Sequence, residues 1–516
     1  MFVRRKANKS GTFSIQVISK EEGHYKVVKS FGSGITEKEL EQKEREAYVF
    51  IQQHQSPPLP FIDESTDQKI ESFLSSIKNT QFHVIGPELI FGTLYDKIGY
   101  NCIPEKLFRH LVVCRLFNPG SKLKTIDYLL RYQNISYSVD QIYYFLDKLC
   151  QRKQGKAGIK ETVEHISFEH TKRVLGQHID VVFYDMTTLY FEASDEDDLR
   201  KTGFSKDGKH SCPQIFLGLL VTTGGNPIGY EIFEGNIFEG NTLLPFIENM
   251  TQKYHFGKPI IVADSALLSG KNIRILQENG YQYILGARPK NESIEIQNSI
   301  LGLKLKHGDI VVIEKGDNTK LIVSKTESRA KKDAFNRERG LKRLQKKIIS
   351  GKLTKAHINN KGYNKYLKME GEIKISIDMD RYENDIAWDG IKGYITNTEL
   401  NKEEVIKNYG NLWYIERAFR LSKTDLKVRP IYHRLRNRIE GHICICFTAY
   451  TILLELERIL KENDSSITLQ RAQELTKTMY QLTYQLPQSG QVKNVILKMD
   501  PEQLMLYQLV NNYSLS

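Results

Sequence analysis

Alternating apolar and polar residues open the chain. The segments "TFSIQVIS" (12–19) and "HYKVVKSFG" (24–32) have the period of two that is typical of β-strands, and a polar helix is predicted from there to about residue 54. The next segment, "SPPLP" (56–60), is typical of a stiff proline-rich linker. We therefore predict that residues 1–60 form a β-rich arm.

From about residue 87 to 175 the apolar positions recur at helical spacing. Three segments are predicted as short helices joined by tight turns, because each begins with a proline or a capping residue: "PEKLFRHLVVCRLF", "SKLKTIDYLLRY" and "SVDQIYYFLDKL". Three such helices are compatible with a helix-turn-helix and equally with a plain bundle. We predict a helical DNA-binding region over residues 61–175, with a plain bundle as the alternative.

The segment "DVVFYDMTTLYFE" (180–192) begins a different pattern. Its apolar run predicts a strand that is buried on both faces and that ends at Asp185. A hairpin around "GGNP", a helix, the strand "PIIVADSA" ending at Asp264, a further helix and the strand "YQYILGAR" are predicted to follow. This is the order of elements in an RNase H-like core, in which the two strands that carry the aspartates lie side by side.

Each aspartate has an ordinary explanation when it is taken alone. A buried charge is costly unless it is paired, and an ion pair or a hydrogen-bonded cap would satisfy Asp185. Asp264 is placed to cap the helix after it. The predicted convergence of the two carboxylates favours the third alternative, a shared metal site.

A third carboxylate lies in "YGNLWYIERAFRLSK" (409–423). Tyr409, Trp413, Glu416, Arg420 and Lys423 are separated by 4, 3, 4 and 3 residues, which predicts one shared helical face. Two aromatic residues, one acid and two bases make a poor core stripe and a suitable nucleic-acid surface. The alternative for Glu416 is an ordinary surface pair with Arg420, which contributes only tenths of a kcal/mol.

The net charge of +12 is concentrated in two segments. Residues 331–368 hold 13 Lys or Arg and 2 acidic residues, and residues 416–438 hold 8 and 2, so that the rest of the chain is net negative. Such a distribution indicates a polyanionic partner and favours nucleic acid. Four residues of the first segment are spaced to form one basic edge of a helix that contacts phosphates: Lys342, Arg343, Lys346 and Lys347.

Other classes of site are disfavoured. No stretch approaches the roughly 20 apolar residues of a membrane span, and the basic start has no apolar core behind it, so we predict a cytoplasmic location. The six cysteines lie mostly in apolar segments, as reduced buried thiols do. "HICIC" (442–446) is predicted as part of a buried helix and not as a zinc site, and the acidic run "SDEDD" (194–198) as a solvated loop.

Together these motifs resemble the DDE transposases of bacterial insertion sequences. The chain is similar to the insertion-sequence-four superfamily and to its branch typified by insertion sequence sixteen-thirty-four. The superfamily is marked by Tyr, two residues, Arg, three residues, Glu, six residues and Lys, and the chain has Tyr409, Leu412, Glu416 and Lys423 at these positions. The branch pattern also matches "DMTTLYFE", "GFSKDGKHSCPQIFLGLLV", "FEGN", "ADSALLSGKNI", "ILGARPK", "WDGIKGYITN" and "RPIYHRLRNRIEGHICICF". The resemblance covers at least residues 180–460.

The resemblance implies an α/β RNase H-like catalytic core interrupted by an insertion. The core would comprise residues 176–293 and 396–460, with a largely β insertion domain at 294–395 and a C-terminal helical region at 461–516. In front of it would stand the N-terminal β plus α-helical DNA-binding region. The length between Asp264 and Glu416 agrees, because it far exceeds one crossover.

The resemblance also implies a chemistry. Asp185, Asp264 and Glu416 would be the catalytic triad that holds Mg²⁺, for which Mn²⁺ substitutes, in two-metal phosphoryl transfer. Trp413 and Tyr409 would contact phosphate or stack on a base. The partners would be DNA, as terminal inverted repeats and target, and a second copy of the chain or more in the synaptic complex.

The chain departs from the superfamily pattern at one position, and two other functions remain as alternatives. Leu412 replaces the expected arginine, so that either Arg417 or Arg420 supplies its phosphate contact or the contact is absent. Arg420 and Lys423 are expected to hold phosphates of the cleaved strand. A metal-dependent nuclease on the same core and a domesticated, non-catalytic DNA-binding protein are the rival functions.

Overall fold

The computed structural model describes most of the chain, in two compact units. The two units are Met1–Ile77 and Lys78–Ser516. The described residues are 1–9, 11–21, 24–54, 66–151, 157–205, 208, 211–265, 269–316, 318–351, 353–354, 357–360, 362–370, 374–486 and 489–513. The predicted linker at 56–60 lies outside them.

The first unit is a three-stranded antiparallel sheet with a helix on one face. Its elements are β1 (Phe2–Ala7), β2 (Phe13–Glu21), β3 (His24–Gly34), α1 (Glu37–His54) and α2 (Thr66–Ser76). The strands pair in chain order. Ile15 and Val17 of β2 pack against Leu40, Ala47 and Ile51 of α1. The predicted strands and the predicted polar helix are confirmed.

The second unit begins with a short strand and five helices. They are β4 (Phe82–Val84), α3 (Thr93–Ile98), α4 (Lys106–Phe117), α5 (Lys122–Gln133), α6 (Val139–Leu149) and α7 (Ile159–Val174). The three predicted helices are confirmed as α4, α5 and α6, and Ser121 and Ser138 cap α5 and α6 through their hydroxyls. Because α4 and α6 pack against the long helix α15 (Arg436–Glu462), this region lies in the same compact unit as the central sheet. The finer domain boundaries remain predictions.

An eight-stranded mixed sheet forms the centre of the second unit. Its strands are β5 (Val181–Tyr190), β6 (Gln214–Val221), β7 (Pro227–Glu234), β8 (Ile260–Ala263), β9 (Tyr283–Ala287), β10 (Ile310–Glu314), β11 (Lys320–Lys325) and β14 (Ile391–Thr396). The spatial order is β10-β11-β14-β9-β8-β5-β6-β7, with β5, β8 and β9 parallel and the other pairs antiparallel. The predicted hairpin of β6 and β7 is confirmed, and Gly224 and Gly225 of its turn have φ of 80° and 85°, which favours glycine.

Helices cover both faces of this sheet. On one face lie α8 (Leu243–Tyr254), α9 (Gly270–Glu278) and α10 (Ile294–Gly302), and on the other lie α13 (Lys402–Gly410), α14 (Trp413–Thr424) and α15. Alternate residues of a strand point to opposite faces, and accordingly Val182 and Tyr184 of β5 lie in the α8 core, whereas Phe183 lies in the α14 core.

The insertion differs from its prediction. It contains α10, β10, β11, α11 (Glu327–Ile349), β12 (Leu367–Glu370), β13 (Lys374–Ile377), α12 (Met379–Asn384) and β14. The prediction of a largely β domain is wrong, because the 23-residue helix α11 is its longest element. Its strands β10, β11 and β14 extend the central sheet beyond β9, while β12 and β13 pair with each other. Leu344 of α11, Tyr366 and Leu367 form a small core of their own.

The C-terminal region is also less helical than predicted. It contains α16 (Leu469–Thr476), β15 (Tyr480–Gln485), β16 (Val492–Ile496) and α17 (Pro501–Asn512). The two strands form a hairpin, and β15 pairs on its other side with β4. The reason for the difference is this pairing with a strand about 400 residues earlier in the chain, since the C-terminal sequence gives no sign of its partner.

Candidate active site

The strand register brings the two predicted aspartates next to each other. In the parallel pair of β5 and β8, Tyr184 lies opposite Ala263. Asp185 and Asp264 are the next residues after this last pair, and neighbouring strands are about 4.8 Å apart. Both side chains are half-buried. The predicted neighbourhood of the two aspartate strands is confirmed.

Asp185 does not end its strand, however. β5 continues to Tyr190, because its residues beyond Asp185 remain paired with the antiparallel strand β6. Only the pairing with β8 stops at this level, since β8 ends at Ala263. Asp185 therefore lies within one strand, opposite the end of its neighbour.

Both aspartates face the side of the sheet that α14 covers. Phe183, two residues before Asp185, contacts Tyr414 of α14 with ring centroids 6.1 Å apart. Ala263 is buried in the opposite core, and Asp264, which directly follows it, acts electrostatically on Tyr409 of the α14-side core. The helix itself packs against β5 and β6.

The exposed face of α14 carries most of the predicted third group. Trp413, Glu416 and Arg420 are exposed, with 47% of Trp413 accessible, and Lys423 is half-buried. Ile415 and its neighbours on the opposite side of the helix are buried. The shared face is thus confirmed for the residues of α14.

Tyr409 is not on that face. It belongs to α13, which ends at Gly410, whereas α14 begins at Trp413. The prediction of one continuous helix from Tyr409 to Lys423 is wrong, because the chain turns at 411–412 between two short helices.

Tyr409 instead packs against strands β9 and β14 of the central sheet. Its ring lies 4.9 Å from that of Tyr394, and its hydroxyl lies against the backbone of Gly286 in β9. Burial raises the pKa of Tyr409 to about 12, and the negative charges of Asp264 and Glu416 contribute to the same shift. Tyr409 therefore lies near the carboxylate that follows β8, Asp264, and near that of Glu416 on α14.

The donors at this site have the chemistry that a hard divalent cation prefers. Carboxylate oxygens suit Mg²⁺ and Mn²⁺, and Asp185, Asp264 and Glu416 are all accessible to solvent in part. Within the described part of the chain, however, no three His, Cys, Asp or Glu side chains already lie together as a metal-holding group. One oxygen of Asp185 accepts a hydrogen bond from the backbone N–H of Met186 (2.7 Å). The three side chains therefore have the donor type that such a metal prefers, and two of them are neighbours across β5 and β8. Among the described residues, they do not already surround a metal position.

The structure separates the two candidates for the missing arginine contact. Leu412 is buried in the core. Arg417 is only 15% exposed and pairs with Glu457 (Nη2 to Oε1, 2.5 Å). Burial raises the pKa of Glu457, but the hydrogen bonds from Arg417 and Lys461 outweigh it and lower that pKa overall. Of the two arginines, Arg420 is the one that lies exposed beside Glu416.

Two cations of the insertion lie beside this site, and the sequence did not single them out. Lys392 of β14 lies over the ring of Tyr409 at 4.4 Å from its centroid. Burial lowers the pKa of Lys392, Arg329 of α11 lowers it further, and Glu416 opposes both. Arg329 and Lys392 line a cleft of about 550 Å³ that also includes Ser265, the residue after Asp264. Lys392 lies in the matched motif "WDGIKGYITN", but nothing in the sequence marked Arg329.

The predicted basic edge is present on α11. Lys342, Arg343, Lys346 and Lys347 are all exposed, while Leu344 between them is buried. Lys342 forms an exposed pair with Glu338 (2.9 Å), which contributes little. The edge therefore offers its cations to solvent.

The structure also shows the surroundings of the two motifs that were not predicted as metal sites, "HICIC" and the acidic run "SDEDD". "HICIC" lies in the buried helix α15, and His442 Nε2 lies 2.9 Å from the carbonyl oxygen of Val428. In the acidic run, Asp197 accepts hydrogen bonds from the backbone of Leu199 and Arg200. Among the described residues, no helix has the length and apolarity that crossing a membrane requires.

The contact between Tyr409 and Gly286 predicts a sharp response to one added methyl group. A Cβ at Gly286 would lie less than 3 Å from the Tyr409 hydroxyl, so Gly286→Ala should cost about 1–3 kcal/mol of stability and lower the midpoint of thermal unfolding. Tyr409→Phe removes the clashing oxygen and should rescue part of the loss. Gly410→Ala is the control, because a Cβ there meets nothing within 4 Å. Equal midpoints for Gly286→Ala and Gly410→Ala would contradict this packing.

Comparisons with known proteins give a family and several distant structures. The transposase DDE domain model matches residues 176–452, whereas no curated protein matches the chain. The chain is similar to a piggyBac transposase synaptic complex with hairpin DNA, at 10% identity and a TM-score of 0.38, over 76% of this chain and 78% of that one. It is also similar to a Drosophila P element transposase strand transfer complex, at 10% identity and a TM-score of 0.19, over 79% and 90%. A Mos1 transposase paired-end complex follows at 11% identity and 0.16, over 47% and 66%.

The TM-scores of these structures are too low to support any argument about geometry. The family match, in contrast, is a match of sequence over more than half of the chain. It includes both aspartate strands and the helix of Glu416. The chain belongs to the transposase DDE domain family.

Proposed function

We propose that this protein is the transposase of a bacterial insertion sequence, of the insertion-sequence-four superfamily and its branch typified by insertion sequence sixteen-thirty-four. It binds the terminal inverted repeats and catalyses DNA cleavage and strand transfer on an RNase H-like core. The observation that carries the proposal is the register of β5 and β8, which sets Asp185 beside Asp264 on the face covered by the Glu416 helix.

The three carboxylates have a common role in this proposal. Asp185, Asp264 and Glu416 would hold Mg²⁺, or Mn²⁺ in its place. Divalent ions bound in this way activate a water or a 3′-hydroxyl for attack and stabilise the leaving 3′-oxygen. Asp185 lies within β5, Asp264 directly follows β8, and Glu416 belongs to a helix that packs on β5 and β6.

The surrounding residues would hold the DNA strand. Arg420 and Lys423 on α14 would bind phosphates next to Glu416, and a base could stack on the half-exposed indole of Trp413. Tyr409 would act by positioning, since its hydroxyl packs against β9. The synaptic complex would contain two or more copies of the chain.

The proposal is tested with DNA taken from either side of the gene. Purified protein is incubated with Mg²⁺, a labelled duplex that carries the flanking sequence and a supercoiled target plasmid. Cleavage at the junction and joining of the labelled 3′ end to the plasmid are the expected products. Cleavage without any joining would favour a nuclease, and binding without cleavage would favour a non-catalytic DNA-binding protein.

Alanine substitutions at Arg417 and Arg420 should have different effects, one on stability and the other on the rate of cleavage. Arg420→Ala should slow cleavage about ten- to a hundredfold, since a charge-assisted hydrogen bond to phosphate contributes about 1.5–3 kcal/mol. It should leave the thermal midpoint unchanged. Arg417→Ala removes a partner of the half-buried Glu457. It should lower stability by about 1–3 kcal/mol with the cleavage rate per folded molecule unchanged.

The measurements are single-turnover cleavage and thermal unfolding of both variants beside the wild type. A cleavage defect in Arg417→Ala together with normal cleavage by Arg420→Ala would reverse the assignment of the phosphate contact.

A further inference from the structure

The sheet of the first unit has one covered face and one open face. On the covered side, Val3, Ile15 and Val17 pack with α1, and Arg5 forms ion pairs with Glu37 and Glu44 of that helix. Directly opposed residues of an antiparallel sheet point to the same face, and neighbours along a strand alternate. The residues between these positions therefore project from the side that α1 does not cover.

Three rows of side chains cross the open face. The register aligns them, from the polar end to the apolar end, as Lys6 with Ser14 and Ser33, Arg4 with Gln16 and Ser30, and Phe2 with Ile18 and Val27. The Arg4 guanidinium donates to the Gln16 amide oxygen (3.0 Å) within its row. Lys6, Ser30, Ser33, Phe2 and Val27 are exposed, and Arg4 and Gln16 are half-buried. In the central strand, Ser14 and Ile18 are buried, so the accessible side chains of the rows are those of the outer strands and Gln16. Two rows are thus made of hydrogen-bonding side chains and the third is apolar.

Charge is divided between the two sides of the unit. Residues 1–34, which form the sheet, contain seven Lys or Arg and two Glu, whereas α1 contains three Lys or Arg and five Glu. Of the seven, Arg4 and Lys6 project from the open face, whereas Arg5 and Lys29 lie on the covered side. Two of those five, Glu37 and Glu44, are engaged with Arg5 on the covered side. None of the described residues in the three rows of the open face carries a carboxylate. A polyanion would consequently be attracted to the open face, whose rows carry Arg4 and Lys6.

The dimensions and the side chains of the open face suit the major groove of duplex DNA. Three strands spaced about 4.8 Å apart make a sheet roughly 10 Å across, and the groove is about 12 Å wide. Arginine makes paired hydrogen bonds with guanine and glutamine with adenine, serine bonds to either, and phenylalanine packs on the thymine methyl group. The middle row presents Arg4, Gln16 and Ser30 side by side.

We propose that the open face of the β1–β3 sheet reads DNA in the major groove, with Arg4 and Gln16 as base contacts and Lys6 as a phosphate contact. This inference rests on the proposed function, because it assigns the recognition of the element's ends to the sheet. The helical segment 61–175 would then not be the only DNA-binding part of the chain.

The test uses the full-length chain and two labelled duplexes of equal length, one with the sequence flanking the gene and one scrambled. Arg4→Ala/Gln16→Ala should weaken binding to the flanking duplex about ten- to a hundredfold and binding to the scrambled duplex much less. The matched control lies on α1, where Gln42 and Arg45 are both exposed. Gln42→Ala/Arg45→Ala removes the same two residue types and should leave both affinities unchanged.

A third variant, Lys6→Gln, tests the proposal even if the double variant does not fold. Because the Lys6 side chain is exposed, Lys6→Gln should fold normally; it should flatten the log–log salt dependence of binding by about 0.9. Equal affinities for the wild type and both open-face variants would overturn the proposal. So would a change in oligomeric state without a change in DNA affinity, which would make this face a contact between copies of the chain.

The result also separates the two proposals. If the wild type neither binds nor cleaves the flanking duplex, the proposed function fails. If the wild type does both and Arg4→Ala/Gln16→Ala does the same at wild-type affinity, only the assignment of the sheet fails.

Discussion

Replacing Asp185, Asp264 or Glu416 by its amide should slow metal-dependent DNA cleavage by about a thousandfold or more, because metal stabilises the transition state by several kcal/mol and each 1.36 kcal/mol is a factor of ten. The amides keep the shape of the side chains and remove the negative charge that holds the cation. Affinity for the DNA end should stay within about twofold, since the proposed function makes these residues metal ligands and not DNA contacts.

A second measurement makes the result independent of cleavage. A metal that binds only the folded chain raises stability by about 2.7 kcal/mol at a hundred times its dissociation constant. Mg²⁺ and Mn²⁺ should therefore raise the thermal midpoint of the wild type, and each amide variant should lose most of that increase. Among the described residues the carboxylates do not form a closed group of three, so the cation is expected to draw them together.

The control for these variants is Asp198→Asn, in the acidic run. It removes the same charge from a loop that follows β5 and should keep both cleavage and the metal-dependent shift. A triad variant that cleaves at the wild-type rate would have to be removed from the active site.

The parts of the fold that the sequence predicts are those with strong local patterns. β6 is buried along its whole length and is a nearly continuous apolar run, and Ser121 and Ser138 mark the starts of two helices. Asp264 follows directly on the short buried strand β8. In each of these cases the local chemistry and the tertiary environment favour the same structure, so the pattern is sufficient.

The parts that the sequence does not predict depend on distant pairing. Alternation identifies β14 as a strand, but it does not show that β14 pairs with β9 about 100 residues earlier. That pairing brings Lys392 to the ring of Tyr409 and Arg329 to the same cleft. The sequence therefore did not predict that Lys392 and Arg329 lie beside the candidate site.

The break between α13 and α14 has a different cause. Spacings of three and four residues fit one helix, and the short turn between the two helices preserves them. Gly410, a poor helix former, was the available signal for the break. Because the helix ends there, Tyr409 packs on the sheet while Glu416 stays on the exposed face of α14.

Replacing Lys342, Arg343, Lys346 and Lys347 of α11 by Gln should flatten the salt dependence of DNA binding by roughly two to four units in the log–log slope, because each phosphate contact contributes about 0.9 on duplex DNA. All four side chains are exposed along one side of the helix. Contacts to phosphate carry no sequence information, so affinity for end DNA and for random DNA should fall by similar factors.

The matched control removes four exposed lysines elsewhere, Lys461, Lys477, Lys493 and Lys498. Both quadruple variants lose the same net charge, so a general effect of charge would change both slopes equally. A direct role of the α11 edge predicts a large change only in the first. The measurement is a salt titration of binding to both duplexes for the wild type and the two variants. If the slope of the α11 variant stays at the wild-type value, this edge is a solvated surface or a protein contact, and the insertion loses its assigned role in holding DNA.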